Sequence, residues 1–256
     1  MNMILFTIVI LGFSTGIVQA GEVAGKVEFV SGDVILTRDN GQTSTLKIGD
    51  AIHSGDTLVS AASSEAHLQM LDEAYLAMRA NSKMTIKSYE VRNRNSDNSV
   101  LQLFKGSLRI ITGWIGQQYP QNYRVNTPVA TIGVRGTDHE PYYVAPEDAT
   151  ADQPAGAYDH VIEGSTFLQS DAGQIDISFG NIGFVASAGK PRLLAALPGF
   201  FPRGHFDQRI NDLKPLLKQR LQERLHNLGH LPLDNLHPRL RHADDYSQPL
   251  LPRLGR

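Results

Sequence analysis

The sequence predicts an all-β body, a β-sandwich or jelly-roll-like domain, followed by one C-terminal amphipathic helix and a mobile tail. Three observations carry that prediction. Apolar residues recur at every second position from Gly25 to about Val185, turn-forming clusters interrupt the alternation at short intervals, and beyond Pro198 the period changes to that of a helix.

The chain of 256 residues opens with an apolar run from Ile4 to Val18 and the small-residue tripeptide Val18-Gln19-Ala20 ahead of Gly21. This is the pattern of an export signal over residues 1–20, cleaved near Ala20. The apolar segment falls short of the ~20 residues a spanning helix needs. The mature chain is therefore expected to begin at Gly21 and to be periplasmic or otherwise exported. It contains no cysteine, which excludes a disulfide framework and leaves the hydrophobic core to hold the fold.

Residues 21–200 are expected to form the β domain, with a core at 25–137. The pairs Val27/Phe29, Val34/Leu36, Leu68/Met70, Leu76/Met78, Met84/Ile86, Leu101/Leu103, Leu108/Ile110 and Tyr123/Val125 each alternate with polar neighbours, the mark of a half-buried strand. Between them stand Ser31-Gly32-Asp33, Asp39-Asn40-Gly41, Gly49-Asp50 and Gly55-Asp56, residues that tolerate positive φ or cap their own turns. Val91 to Ser99 is polar and reads as a loop. Residues 141–157 carry three prolines and read as an insertion, and residues 161–185 read as a closing hairpin.

Over residues 201–229, Phe206, Ile210, Leu213, Leu217, Leu221, Leu225 and Leu228 follow one another at three- or four-residue steps, one stripe of an amphipathic helix. Pro215 lies in this stripe, so the helix either starts there or kinks. The stripe is expected to pack on the β body or on itself, with a partner-binding helix as the alternative. Residues 230–256, basic and rich in proline, are expected to be mobile. Residues 203–256 hold ten Lys/Arg against six Asp/Glu, although the whole chain has a formal net charge of -2. Such a tail suits an anionic surface or a protein partner, and in an exported chain it does not point to nucleic acid.

Several segments, in order, resemble the FecR-type periplasmic domain family: Leu46 to Asp50, Gly55 to Leu58, Asn81 to Met84, Leu103 to Arg109, and above all Thr127-Pro128-Val129-Ala130-Thr131-Ile132-Gly133-Val134-Arg135-Gly136-Thr137. The resemblance implies an all-β domain used for sensing or protein contact, without catalytic machinery. With residues 1–20 as leader, it implies a stand-alone exported member without the anti-sigma segment. Asp72-Glu73-Ala74 departs from the Asp-Gly turn usual in such domains. Within the strongest motif, Thr127, Pro128, Gly133, Arg135, Gly136 and Thr137 are the candidate binding residues. Their residue types favour a structural role. Pro128 sets an extended approach, Gly133 and Gly136 permit close packing or positive φ, and Arg135 can tie carbonyls or a carboxylate together.

The search for chemistry yields little. There is no Gly-x-Ser-x-Gly elbow and no His-Glu-x-x-His helix. Asp138-His139-Glu140, with Asp159-His160 further on, would serve a hydrolytic envelope enzyme or a metal, but consecutive strand residues point to opposite faces and cannot converge on one ion. Trp114 reads as a core anchor. The expectation is a non-enzymatic binding, sensing or scaffolding module with a protein partner in the cell envelope, no cofactor and no metal. The alternatives are a sensory partner of a separate membrane signalling protein and the hydrolase.

Overall fold

The structure is a computed structural model that describes residues 21–229; the leader at 1–20 and the tail at 230–256 lie outside the described residues. Its strands are β1 (Val23–Ser31), β2 (Val34–Thr37), β3 (Thr43–Thr45), β4 (Ala51–His53), β5 (Thr57–Ser60), β6 (Glu65–Met70), β7 (Tyr75–Met78), β8 (Lys83–Glu90), β9 (Asn98–Ile111), β10 (Tyr123–Asn126), β11 (Thr131–Val144), β12 (Gly156–Ser170), β13 (Gly173–Ser178), β14 (Ile182–Val185) and β15 (Arg192–Leu194). A short helix α1 (Trp114–Gln118) follows β9, and α2 (Asp207–Gly229) closes the described chain.

These strands join in one hydrogen-bonded sheet, and the register shows that the sheet is folded over into two layers. The first half of β9 pairs with β8 and β10, and its second half with β7 and β11. In turn β11 starts beside β10, Val125 facing Ile132, and ends along the second half of β9, Tyr143 facing Gly106. The start of β11 thus lies one strand away from the first half of β9, with β10 between, and its end lies directly beside the second half, so both β9 and β11 bend across from one layer to the other. The first layer runs β15-β14-β12-β11-β9-β7-β6-β1-β4 through the second halves of β9 and β11 and the first half of β12. The second layer runs β13-β12-β11-β10-β9-β8-β5-β2-β3 through the other halves.

Each crossing between layers is marked by left-handed backbone. At one end Gly32, Ser63, Asn81 and Gly106 have φ of 73°, 56°, 54° and 77°; at the other Gly136 and Gly164 have 62° and 79°. A side chain at Gly106 would place Cβ 2.6 Å from the Ser82 Cα, and one at Gly164 would place it 2.3 Å from the Gly136 carbonyl oxygen, so the turn needs both the conformation and the space. Serines tie the first crease: Ser82 Oγ donates to the Ser107 carbonyl and accepts from the Ser107 N–H.

The core lies between the layers, because the alternation sends Val27, Leu68, Leu76, Met78, Leu108 and Ile110 of the first layer toward Leu36, Leu58, Met84, Ile86, Leu101 and Ile132 of the second. Trp114 joins this core from α1, with 5% of its surface exposed. The stripe Ile210, Leu213 and Leu217 packs on Tyr75, Ala77 and Ile111, on the outer side of the first layer, while Leu221, Leu225 and Leu228 extend the main core.

Several boundaries differ from the sequence expectation. The helix begins at Asp207, not 201, and runs through Pro215, whose side is exposed. Of the expected insertion 141–157, Pro141 to Val144 belong to β11 and Gly156-Ala157 to β12, leaving 145–155 as the loop. Pro141 fits inside a strand because the β9–β11 ladder has no pairing at 140–141, so its missing N–H costs no bond there. The expected hairpin 161–185 is instead the hairpin β12–β13, after which β14 returns to pair with the first half of β12. At the departure Asp72-Glu73-Ala74 the turn survives, with Glu73 taking the positive φ of 67° that glycine would adopt.

Candidate functional site

Folding the sheet places charged residues on the outer side of the first layer, where α2 and the segment before it cover them. Arg109 grips Asp138 with two bonds, Nε to Oδ1 at 3.1 Å and Nη2 to Oδ2 at 2.9 Å, and also donates to Asn211 of α2 at 2.7 Å. Lys214 of α2 donates to the same Asp138 at 2.7 Å and meets Glu163 at 2.8 Å. Arg79 binds Glu140, the Asp207 carboxylate at 3.1 Å and the Pro202 carbonyl. His160 Nδ1 lies 2.8 Å from Glu140 Oε2. Further along, His67 bridges Glu65 at 2.7 Å and Tyr75 at 3.0 Å, the His205 N–H donates to Glu65, and Phe206 packs on Phe29.

Burial alone would oppose ionisation of these carboxyls. For Asp138 the bonds and charges of Arg109 and Lys214 outweigh it, and for Glu140 those of His160 and Arg79 do, so both are held below the ordinary carboxylate range. In the same way burial of Lys214 is outweighed by Asp138 and Glu163, which hold its ammonium above its ordinary value. Asp138, Glu140 and Lys214 are thus held in their charged forms, each against partners of opposite charge. Such a seam fixes the position of a helix more readily than it moves protons.

The strand alternation splits the Asp138-His139-Glu140 cluster as strand geometry demands. Asp138 and Glu140 face α2, while His139 points between the layers and has no exposed surface. There its Nε2 lies 3.1 Å from the Tyr123 hydroxyl and its Nδ1 2.8 Å from Asp159 Oδ1. Burial, followed by the charges of Asp159 and Asp72, pushes the Tyr123 hydroxyl well above its ordinary value. Tyr123 therefore keeps its proton and stays a neutral hydroxyl beside the imidazole. This Tyr–His–Asp relay has the order of a catalytic one but is sealed inside the sandwich. Among the described residues no group of three or more His, Asp or Glu is placed to hold a metal ion.

The motif 127–137 divides into two parts. Thr127 Oγ1 accepts from the Ala130 N–H at 3.0 Å and closes the turn between β10 and β11, with Pro128 exposed at its tip. Gly133 lies against the Phe167 ring, where a Cβ would stand 2.2 Å from two ring carbons. Gly136 makes the second crease, and Thr137 bonds across to Thr112 through its backbone. Arg135 differs from expectation: it faces outward on β11 and is exposed, and among the described residues its side chain makes no hydrogen bond or ion pair. Arg79 and Arg109, which do tie the elements together, were missed by motif reasoning; their signal was a charge between apolar neighbours, at an outward position of β9 for Arg109 and just past the end of β7 for Arg79.

Residues 56–153 match the family described as FecR protein. No curated protein matches the chain. Among solved structures, two crystal structures of a proposed anti-sigma factor from Parabacteroides distasonis are similar at 11% and 12% identity, with TM-scores of 0.43 and 0.44, each covering 56% of this chain. The chain spans 60% of the length of those structures. A structure titled cell surface anchoring domain shares 27% identity over 25% of this chain and 83% of its own, with a TM-score of 0.24.

Proposed function

Taking as premise that the chain contains a FecR-type domain, we propose that it is an exported, non-enzymatic binding and sensing module of a cell envelope, which works by contact with a protein partner. The family match over residues 56–153 carries this reading. The candidate chemistry supports it. His139 and Asp159 have no exposed surface, so no substrate reaches them, and Asp138 and Glu140 are each bound to cationic partners. The apolar stripe of α2 is occupied by the β body, so the partner meets another surface and the helix acts as part of the module's frame. The leader expected at 1–20 directs export, and among the described residues no helix is long and apolar enough to cross a membrane.

The test is fractionation of cells producing the full chain with a C-terminal tag, followed by cross-linking. The expected result is a chain beginning near Gly21 in the envelope fraction, in a reproducible protein adduct. A chain retained in the cytosol with its first 20 residues, or a hydrolytic activity lost in a folded His139→Ala variant, would refute the proposal.

A further inference from the structure

The layers end in four edges that are not alike. Three are strands of three residues, β3, β4 and β15, while the fourth, β13, runs for six residues and pairs only with β12. Native proteins blunt an open edge by shortness, lysine, proline or a bulge, and β13 has none of these. The tight turn at Asp171-Ala172 makes Ser170 and Gly173 a hydrogen-bonded pair, and the alternation makes Leu168–Ile175 and Thr166–Ile177 such pairs as well. The N–H and C=O groups of Gln174 and Asp176 therefore point away from β12, and among the described residues none of these groups has a hydrogen bond. Both residues are exposed. Next to the strand, Phe179 is 71% exposed, the most of any large apolar residue described, and on the same flank Leu193 of β15 is 49% exposed.

We propose that β13 is a dimer edge, pairing antiparallel with β13 of a second copy about a twofold axis through Ile175. The register follows from where the free groups lie. With Ile175 facing its counterpart, Gln174 stands opposite Asp176 of the second copy and Asp176 opposite its Gln174, two pairs that each exchange both backbone bonds. Directly opposite residues share a face of the sheet, so each Gln174 amide donates to an Asp176 carboxylate. A shift by two residues one way sets Asp176 against Asp176, a repulsive pair. The other way it runs into the turn at Ala172, whose N–H is already bonded to Ser170 Oγ. A foreign extended peptide would gain the same backbone bonds, but a second copy brings amide and carboxylate in step, twice, as an isologous contact requires. The pairing also sets the two Ile175 side chains, each half-buried at the margin of its own core, against one another. This goes beyond the envelope partner proposed above, and its failure would leave that reading standing.

The experiment is sedimentation equilibrium of the full chain from micromolar to millimolar concentration, where a monomer–dimer equilibrium is expected. Gln174→Asp sets carboxylates opposite one another at both pairs and should weaken dimerisation about tenfold, whereas Gln174→Lys faces Asp176 and should tighten it. Asp176→Pro removes an outward N–H without touching the β12 ladder, and should leave a monomer that thermal melting shows to be folded. Because the chain has no cysteine, Ile175→Cys tests the register directly. Facing residues of a non-hydrogen-bonded pair have Cα atoms about 4.5 Å apart, within disulfide reach, so mild oxidation should give a linked dimer. The proposal fails if the chain is monomeric throughout, if the two Gln174 variants shift association in the same direction, or if the dimer persists in folded Asp176→Pro. Should that variant not fold, the Gln174 pair and the Ile175→Cys thiol decide, and a thiol that stays free on oxidation overturns the register.

Discussion

On the first layer the outward positions hold Glu65, His67, Arg79, Arg109, Asp138 and Glu140, all buried beneath α2 and the segment leading into it. On the second layer the outward positions hold Thr37, Thr57, Gln102, Asn126 and Thr131, half-buried, with Gln169, Lys83, Lys87 and Arg135 exposed. Both faces are written by the same period-two alternation, so alternation alone decides only that these residues point outward. What differs is the cost of covering them. Charges can be buried only when each meets an opposite charge of good geometry, and the basic, acidic and amide groups of α2 supply those partners in register. The hydroxyls, amides and solvated cations of the second layer need no such complement, and α2 does not cover them. One layer is therefore completed by the chain itself and the other is presented to the outside.

The sharpest break of this contrast is Arg109→Leu. It leaves Asp138 buried beside one remaining cation, and losing one member of a buried pair costs about 3–5 kcal/mol; the midpoint of urea unfolding should fall accordingly. Next comes Gly164→Ala at the crease, where φ of 79° and a Cβ 2.3 Å from the Gly136 carbonyl oxygen combine. A loss of roughly 2–4 kcal/mol in the same assay is expected. If it proves neutral, the layers are not joined as described.

A smaller effect concerns acid. The folded-state values of Asp138 and Glu140 lie below their unfolded ones, so their contribution is full above the unfolded value, about 4, and is lost as pH falls through the folded values. Proteolysis of α2 should accelerate below about pH 4 while the second layer keeps its protection. At the opposite limit, Lys214 loses its contribution only as pH rises above about 10.4. The smallest effect is that of Gln102→Ala on the open face, within about 0.5 kcal/mol of the parent. A large destabilisation there would mean that this face is structural, not presented.

The strands were legible because the signal is local: Leu76 and Met78, or Leu101 and Leu103, declare their face within a few residues. The stripe of α2 was legible for the same reason, at its own period. The crossings were not, since Ser63 and Asn81 adopt positive φ without being glycine, and Pro141 reads as a loop residue although a gap in the ladder accommodates it. The seam was least legible of all. Arg79 meets Glu140 across 61 residues and Asp207 across 128, separations at which one sequence gives no pairing rule. The motif 127–137 could be identified, but its division into a turn, a ring contact and a crease depends on Phe167 and Gly164, which lie outside it.

Hydrogen–deuterium exchange of the full chain at neutral pH, read peptide by peptide, tests whether α2 is built into the first layer. Amides in the Asp207–Gly229 helix should be protected to a degree shared with β7, β9 and β11, and Arg109→Leu should release the helix ahead of the sheet. Exchange of α2 at the rate of a free peptide in the parent chain, with the sheet still protected, would contradict the account.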